Sequence, residues 1–232
     1  MRPFRRGIAA VVSLAAVGFT ASGQAAGTTA ATAADEPYQL NKQYVEVNQA
    51  VPPADPKRVK VQEFFWFGCP HCRAFEPAIE AWLKKKPAYV DFERVPNSLG
   101  RPVGELHERA FYAAQILGIE DKIIAPMFDG LKNVEEGDTA LTTPQDIDAL
   151  FVKVGGVKPG SVSSMLDDFA VDGKVQQADQ LAMGYGVTGT PTIVVDGRWL
   201  TDLAKGSGDD GLVKIMEFLC DKARKERGIS PK

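Results

Sequence analysis

Cysteine is scarce in this chain of 232 residues, which contains only three. Cys69 and Cys72 form the single close pair, so the chain is not a small scaffold stapled by several disulfides. Histidine is scarcer still, with two residues. A common structural zinc site needs four ligands at regular spacing, and Cys220, His71 and His107 form no second close pair. The sequence therefore argues against a metal centre.

An excess of positive charge is also lacking. The chain has 27 Lys and Arg against 30 Asp and Glu, a formal net charge of -3. Loss of Arg2, Arg5 and Arg6 with the first segment would lower this charge from -3 to -6. A mildly acidic protein is a poor candidate for binding a phosphate backbone, so we expect no nucleic-acid partner.

Long apolar runs are missing as well, and the one at the N-terminus is short. The arginine-rich head is followed by an apolar stretch over residues 7–19 and then by small residues. This pattern is typical of a cleaved secretory signal peptide, predicted at residues 1–26. A retained membrane anchor is the alternative, but the stretch is too short to span a bilayer comfortably. Residues 27–43 are predicted to be a flexible leader.

The first regular elements predict a βαβ unit. The run from Val59 to Phe67 becomes apolar on both faces, which is typical of a central strand covered by helices. A helix is predicted from Cys69 to Lys85, stopped by Pro87. The alternating segment from Tyr89 to Val95 predicts the next strand, and residues 44–47 predict a short earlier one.

The middle of the chain has a helical pattern from residue 98 to 180. Apolar spacing and Pro or Gly boundaries predict five helices, at about 106–117, 123–131, 144–154, 162–169 and 175–183. His107 is expected on a helix surface, with a ligand role as the alternative.

Strand character returns near the C-terminus. Residues 192–195 predict a strand, and Asp196-Gly197 predicts a hairpin turn into residues 198–200. A last amphipathic helix is predicted at 210–226. We expect Cys220 to be a small buried side chain in it, the alternative being an exposed thiol that forms dimers.

The segment Cys69-Pro70-His71-Cys72 carries the most chemistry. A helix start offers unpaired backbone N–H groups and a dipole that favour a negative sulfur at Cys69. Pro70 suits the first helical position, and the His71 imidazole is expected to stabilise the thiolate further. Cys72 falls on the same helical face, close enough for a disulfide. A Cys-x-x-Cys pair after a strand in a βαβ unit indicates a redox-active dithiol of the thioredoxin-like kind.

The direction of electron flow follows from that charge. Stabilising the Cys69 thiolate stabilises the reduced form, and each unit of pKa depression is worth about 1.4 kcal/mol, or roughly 30 mV in a two-electron couple. A substrate thiolate would attack Cys69, and a second substrate thiol would then expel it. A structural disulfide or a zinc site is the alternative reading of the pair.

Two further features accompany the cysteine pair. The segment Gly189-Thr190-Pro191 is a turn leading into a strand, and an X-Pro bond in such a turn can be cis. Glu63 lies on the central strand, where an acid would be partly buried with a raised pKa. It is then either a proton acceptor for Cys72 or an acid at the solvated end of the strand.

These features together resemble the DsbA-type thiol:disulfide interchange proteins of the bacterial periplasm, in the thioredoxin superfamily. The resemblance rests on the signal-peptide pattern, Glu63-Phe64-Phe65 before Cys-Pro-His-Cys, the helical insertion and Thr190-Pro191. Thioredoxins typically carry Gly-Pro between their cysteines. The resemblance implies an α/β chain with a thioredoxin fold over 44–97 and 181–232 and an inserted all-helical domain over 98–180.

The resemblance also implies roles for individual residues. Cys69 would be the nucleophile with a lowered pKa, Cys72 its buried partner, and His71 the tuner of an oxidising disulfide. Pro191 would be a cis-proline beside them. Thr190 backbone groups would pair with an extended substrate by strand addition, with Gly189 and Trp66 as further substrate-binding candidates. The family often carries a lysine near Glu63 on the next strand, where the nearest basic residue here is Arg94.

We therefore expect a monomeric periplasmic oxidase that donates its Cys69–Cys72 disulfide to unfolded or partly folded exported proteins. The resemblance implies reoxidation by a quinone-linked inner-membrane oxidase, and no cofactor besides the disulfide. A disulfide isomerase or reductase is one alternative, although about 17 residues before Tyr44 are too few for a separate dimerisation domain. A periplasmic peptide-binding chaperone is the other.

Overall fold

The computed structural model describes residues 36–131 and 140–231, so the predicted signal peptide lies outside the described residues. Strands and helices alternate along the chain, with a run of helices in the middle. In chain order the elements are β1 Val45–Glu46, β2 Val59–Phe65, α1 Pro70–Leu83, β3 Val90–Pro96, α2 Pro102–Ile116, α3 Glu120–Gly130, α4 Pro144–Gly155, α5 Ser161–Met165, α6 Phe169–Tyr185, β4 Thr192–Val195, β5 Trp199–Asp202, α7 Leu203–Gly206 and α8 Asp209–Glu226.

The strands form one sheet with the order β1-β5-β4-β2-β3. β2 lies between β3 and β4, parallel to β3 and antiparallel to β4. The predicted hairpin is confirmed, because β4 and β5 pair antiparallel around Asp196 and Gly197, whose φ angles are 56° and 61°. Positive φ at both central residues is what a tight hairpin turn requires.

The sheet is covered on both faces, and successive residues of β4 point to opposite sides. Ile193 and Val195 pack in a core cluster with side chains of α1 and α8. These side chains are Phe75, Ile79 and Trp82 of α1 and Leu212, Ile215 and Leu219 of α8. Val194 packs in the other cluster, with side chains of α2 to α6. The fold class predicted from the sequence is confirmed: a thioredoxin-like sheet with helices inserted between β3 and β4.

Local sequence signals predicted both ends of α4. Thr143 caps α4 by accepting a hydrogen bond from Asp146 N, Pro144 occupies the first turn, and Gly156 ends the helix with a φ of 72°. These are the residues that the sequence marked as its start and stop.

Other boundaries differ from the prediction. Phe169 was expected on the fourth helix of the insertion, but α5 ends at Met165 and Phe169 opens α6 with 90% of its surface exposed. The reason is Asp168, whose side chain accepts from Ala170 N and begins a new helix there. The short helix α7 was not predicted, and it begins where the Asp202 side chain accepts from Lys205 N.

The end of the predicted leader belongs to the folded unit. Glu36 forms an ion pair of 2.7 Å with Lys222 of α8, and the ring of Tyr38 packs edge-on against Phe218 at 5.4 Å. The flexible leader predicted for 27–43 therefore does not extend through residues 36–43. The boundaries of the thioredoxin-like and helical domains stay a prediction. Within the described ranges, no helix is long and apolar enough to cross a bilayer.

Candidate active site

The turn between β2 and α1 places Cys69 at the helix N-terminus. Cys69 has an extended backbone (φ -82°, ψ 117°) as the capping residue, and Pro70 follows in the first turn. Its N–H donates to Trp66 O at 3.0 Å, which closes the turn. Gly68 is required within this turn, because an added Cβ would lie 2.3 Å from the Trp66 ring. The predicted helix start is confirmed.

The two cysteines differ in access to solvent and in charge. Both are free thiols in this structure, and Cys69 keeps 7% exposure whereas Cys72 has none. A hydrogen bond from the Cys72 thiol is the main reason that the pKa of Cys69 falls to about 5, against the effect of burial. A hydrogen bond from the Thr190 side chain and the backbone N–H groups of Cys72 and His71 lower it further.

Burial has the opposite effect on Cys72. It raises the pKa of that thiol well above its ordinary value, and the neighbouring Cys69 and the charge of Glu63 raise it further. The pair therefore holds one negative charge on the accessible sulfur and one proton on the buried sulfur. Only the Cys69 sulfur is accessible to an incoming thiolate, and its low pKa also makes it the better leaving group of the two.

The structure places His71 and Pro70 at the surface of the first turn of α1, where both are exposed. His71 contributes its backbone N–H to the Cys69 sulfur. A stabilising role for its imidazole stays a prediction.

The loop before β4 lies directly against the nucleophile. The Thr190–Pro191 peptide bond is cis, as the sequence predicted. The Cys69 thiol lies 3.4 Å from Thr190 O, and Thr192 Oγ1 donates to Gly189 O at 2.8 Å, which holds the loop at the start of the strand. The structure thus brings Gly189, Thr190 and Pro191 together with Cys69, although they are far apart in sequence.

A groove of about 750 Å³ runs from this loop, and we call it the cis-proline groove. His71 and the loop residues Thr188 to Pro191 line one end of it. Apolar side chains of β1, β5 and α7 (Val45, Leu200 and Leu203) line the rest together with charged ones (Glu46, Asp202, Lys205 and Asp209). An extended peptide held here would have its cysteine beside Cys69.

Glu63 is buried in the middle of β2 with 1% exposure, so the alternative of a solvated strand end is wrong. Its basic partner is Arg94, which lies opposite it in the parallel register with β3. Burial raises the pKa of Glu63 to about 8, although the charge of Arg94 opposes this shift.

Arg94 does not satisfy Glu63 fully. Its Nε lies 3.7 Å from Glu63 Oε2, and neither atom has a hydrogen-bond partner among the described residues. Arg94 Nη2 instead donates to Glu76 at 2.5 Å and Glu80 at 3.0 Å. Glu63 is therefore a buried carboxyl that can hold a proton near neutral pH, close enough to Cys72 to raise its pKa.

Trp66 and His107 are placed differently from the prediction. His107 was expected on a helix surface, but it is 1% exposed. Its Nδ1 accepts from Trp66 Nε1 at 3.2 Å, its Nε2 lies 3.0 Å from Leu141 O, and burial lowers its pKa to about 4. Trp66 is 5% exposed, and its ring lies against Gly68 of the active-site turn. It does not line the cis-proline groove, since its ring is engaged with α2.

Cys220 is buried in α8 with 2% exposure, so the prediction of a small buried side chain is confirmed and that of an exposed dimer-forming thiol is wrong. Burial raises the pKa of its thiol.

Comparison with known proteins gives one consistent result. The family model described as DSBA-like thioredoxin domain matches residues 104–216, a range that includes the cis-proline loop but not the cysteine pair. The "Thiol:disulfide interchange protein DsbA" of Pseudomonas syringae pv. tomato is 40% identical over 191 residues, which cover 82% of this chain and 87% of that protein.

Solved structures agree. The crystal structure of Pseudomonas aeruginosa DsbA has a TM-score of 0.74 at 34% identity and covers 82% of this chain and 97% of its own. A structure of Proteus mirablis DsbA with a non-covalently bound peptide has a TM-score of 0.65 at 23% identity, over 83% of this chain and all of its own, and supports the fold alone.

Proposed function

We propose, since this chain belongs to the family of DsbA-like thioredoxin domains and is a protein thiol:disulfide oxidoreductase, that it forms disulfides in substrates through a mixed disulfide at Cys69. The observation that carries this mechanism is the opposite displacement of the two cysteine pKa values, down for Cys69 and up for Cys72.

In the first step a substrate thiolate attacks the Cys69 sulfur of the oxidised enzyme. A bond forms between the substrate sulfur and Cys69, and the Cys69–Cys72 bond breaks with its electron pair on Cys72. Because the pKa of Cys72 is raised well above its ordinary value, the departing thiolate takes up a proton. Glu63, with a pKa of about 8, is the buried acid that supplies this proton and later accepts it back.

In the second step the other thiolate of the substrate attacks its own sulfur in the mixed disulfide. The substrate disulfide forms, and Cys69 leaves with the electron pair as a thiolate. This leaving group is favoured because its pKa is about 5. The enzyme ends reduced, with a thiolate at Cys69 and a thiol at Cys72, and the substrate has lost two electrons.

Substrate binding uses the cis-proline loop. Backbone groups of Thr190, beside Pro191 and Gly189, pair with an extended segment of the substrate in the manner of an added strand. The cis-proline groove of about 750 Å³ takes the neighbouring side chains of the substrate, the apolar ones against Val45, Leu200 and Leu203. The substrates are unfolded or partly folded proteins, since only these expose extended segments with free cysteines.

The remaining parts of the proposal concern the cell. The N-terminal pattern of residues 1–26 supports export to the periplasm, where the enzyme acts as a monomer. It needs no cofactor besides its own disulfide, and a quinone-linked oxidase of the inner membrane restores that disulfide after each turnover.

The experiment mixes the enzyme with a reduced peptide that has two cysteines and follows oxidation of the peptide. The oxidised enzyme should convert the peptide stoichiometrically. In a second assay, reduced variants are mixed with a peptide whose cysteine carries an activated mixed disulfide. Cys72→Ser should accumulate a peptide disulfide at Cys69, and Cys69→Ser should form no such adduct. Cys220→Ser is the matched control and should behave as the parent. Equal adduct formation in Cys69→Ser and Cys72→Ser would refute the assigned roles.

A further inference from the structure

A second cavity opens on the other side of the cis-proline loop, and we call it the carboxyl cavity. It has a volume of about 690 Å³ and lies between α2, α6 and the loop after β3. Val187 lines this cavity, whereas its neighbour Thr188 lines the cis-proline groove. The loop that carries Thr190 and Pro191 thus separates two recesses.

The carboxyl cavity lies at the catalytic end of the sheet. β2 and β3 are parallel, with Phe65 opposite Pro96, so both strands end at the level where the active-site turn begins. Asn97 N donates to Phe65 O at 2.8 Å, which fixes the start of the loop after β3 beside that turn. The carboxyl cavity therefore lies at the same end of the sheet as the active-site turn that carries Cys69.

The floor of the cavity holds a buried acid without a cation. Glu108 of α2 is 2% exposed and accepts a hydrogen bond from Ser98 N. No Lys, Arg or His within the described ranges forms an ion pair with it. Burial raises its pKa to about 7, while hydrogen bonds from Ser98 lower it. A buried carboxylate that lacks a positive partner is costly, so a cation entering the cavity would stabilise it.

A second carboxyl stands beside the first. Asp179 of α6 accepts from Asn97 Nδ2 at 3.2 Å, and it too has no ion-pair partner in the described parts of the chain. Its charge raises the pKa of Glu108, so the two groups share one electrostatic environment.

The arginines of the cavity are already engaged. Arg109 donates to Asp172 at 2.8 Å and to Leu166 O at 2.9 Å, and the Arg101 guanidinium lies over the Trp66 ring at 5.0 Å. The lining holds four carboxyl side chains, Glu105, Glu108, Asp172 and Asp179, against the two arginines, so acidic groups are in excess.

The rim suits a long side chain. Met183 is 72% exposed and Leu99 is 37% exposed, and both line the cavity. Lysine and arginine place an apolar stem on such side chains while the charged head reaches a carboxylate. A hydrogen bond to an ionised carboxylate is stronger than a neutral one and would fix the register of the bound segment.

Resting on the function proposed above, we infer that the carboxyl cavity is a specificity subsite that takes a lysine or arginine side chain of the substrate through Glu108 and Asp179. The enzyme would then act preferentially on cysteines that have a basic residue nearby in the extended segment. The cis-proline groove takes the apolar side chains on the opposite side of the cysteine.

The test is a peptide series with one lysine moved through the positions on either side of the reactive cysteine, each compared with a peptide that has norleucine instead. At one of these positions the kcat/KM for the lysine peptide should exceed that for the norleucine peptide by about tenfold, as expected for a charge-assisted hydrogen bond. Glu108→Gln and Asp179→Asn should each reduce this ratio to about twofold or less, with little change for the norleucine peptide.

Asp167→Asn and Glu217→Gln are the matched controls, since both residues are exposed and neither lines the cavity. Both controls should keep the full lysine preference. An equal loss in the controls would mean general attraction by an acidic protein and would overturn the subsite. A parent enzyme with no lysine preference at any position would overturn it as well. Should the parent oxidise none of the peptides, the proposed function itself fails, which is a distinct outcome.

Glu108→Gln keeps an acceptor for Ser98 N, but Glu108 is buried, so its replacement can also disturb folding. Asp179→Asn lies nearer to solvent and tests the same site independently. An unchanged lysine preference in Asp179→Asn would refute the subsite, whatever the behaviour of Glu108→Gln.

Discussion

Replacing Cys69 by serine should remove a pH-dependent part of the unfolding free energy of the reduced protein. The folded-state pKa of Cys69 is about 5, against an ordinary value of 9.0. A group whose pKa is lowered by folding contributes stability above its unfolded pKa and loses it as the pH falls through its folded pKa. The stabilisation that the Cys69 thiolate gives the fold is therefore complete above pH 9 and is lost as the pH falls from 9 to 5.

The magnitude follows from the size of the shift. At 1.36 kcal/mol per pKa unit, the full contribution above pH 9 is about 5 kcal/mol. At pH 7 about half of it, about 3 kcal/mol, remains, and at pH 5 almost none remains. Cys69 is 7% exposed, so solvent screening reduces these figures little.

The assay is urea unfolding of the reduced parent and of Cys69→Ser at a series of pH values between 5 and 8. Glu63, Glu108 and His107 titrate in both proteins, so their contributions largely cancel in the difference. That difference should grow by roughly 1.4 kcal/mol for each pH unit above pH 5. A difference that does not change with pH would refute the idea that the fold stabilises the Cys69 thiolate.

Three further predictions concern buried groups. Glu63→Gln should slow the disulfide-transfer step by about 10²-fold, because the group that exchanges a proton with Cys72 is lost. Stopped-flow fluorescence measures this rate, and an unchanged rate would contradict the proton transfer by Glu63. His107→Leu should lower the unfolding free energy by about 1–3 kcal/mol in urea, because Trp66 Nε1 loses its buried acceptor; no loss would contradict that hydrogen bond. Cys220 should resist iodoacetamide in the native state, because it is buried and burial raises its pKa, and rapid labelling would contradict this placement.

Local sequence signals predicted the parts of the site that depend on chain neighbours. Pro70 at a helix start and the Asp196-Gly197 hairpin each follow from the conformation that a residue favours. The cis bond at Pro191 was expected only in combination with the cysteine pair and the hairpin, since most X-Pro bonds are trans. Their positions around the cysteine pair then followed from the order of the elements.

The partner of Glu63 could not be placed in the same way, because it depends on register between two parallel strands. Glu63 is the fifth residue of β2 and Arg94 is the fifth residue of β3, and the two strands pair from their first residues, Val59 with Val90. Sequence alone does not fix that pairing. Counting from the predicted strand starts, Val59 and Tyr89, would have placed Glu93 opposite Glu63, one residue from the true partner.

His107 and Phe169 show the limit of helical patterning. A histidine among polar neighbours indicates a surface position, yet His107 is buried because the tryptophan 41 residues earlier in the chain supplies its hydrogen bond. Phe169 fits an apolar stripe, yet Asp168 begins a new helix there and leaves the ring 90% exposed. Long-range partners and caps decided both cases.

The most direct test of the central claim compares the unfolding free energies of the oxidised and reduced protein at pH 7 under identical conditions. Because the Cys69 thiolate exists only in the reduced form, that form should be the more stable one despite having one fewer covalent link. A more stable oxidised form would contradict the claim that this site drives disulfides into its substrates.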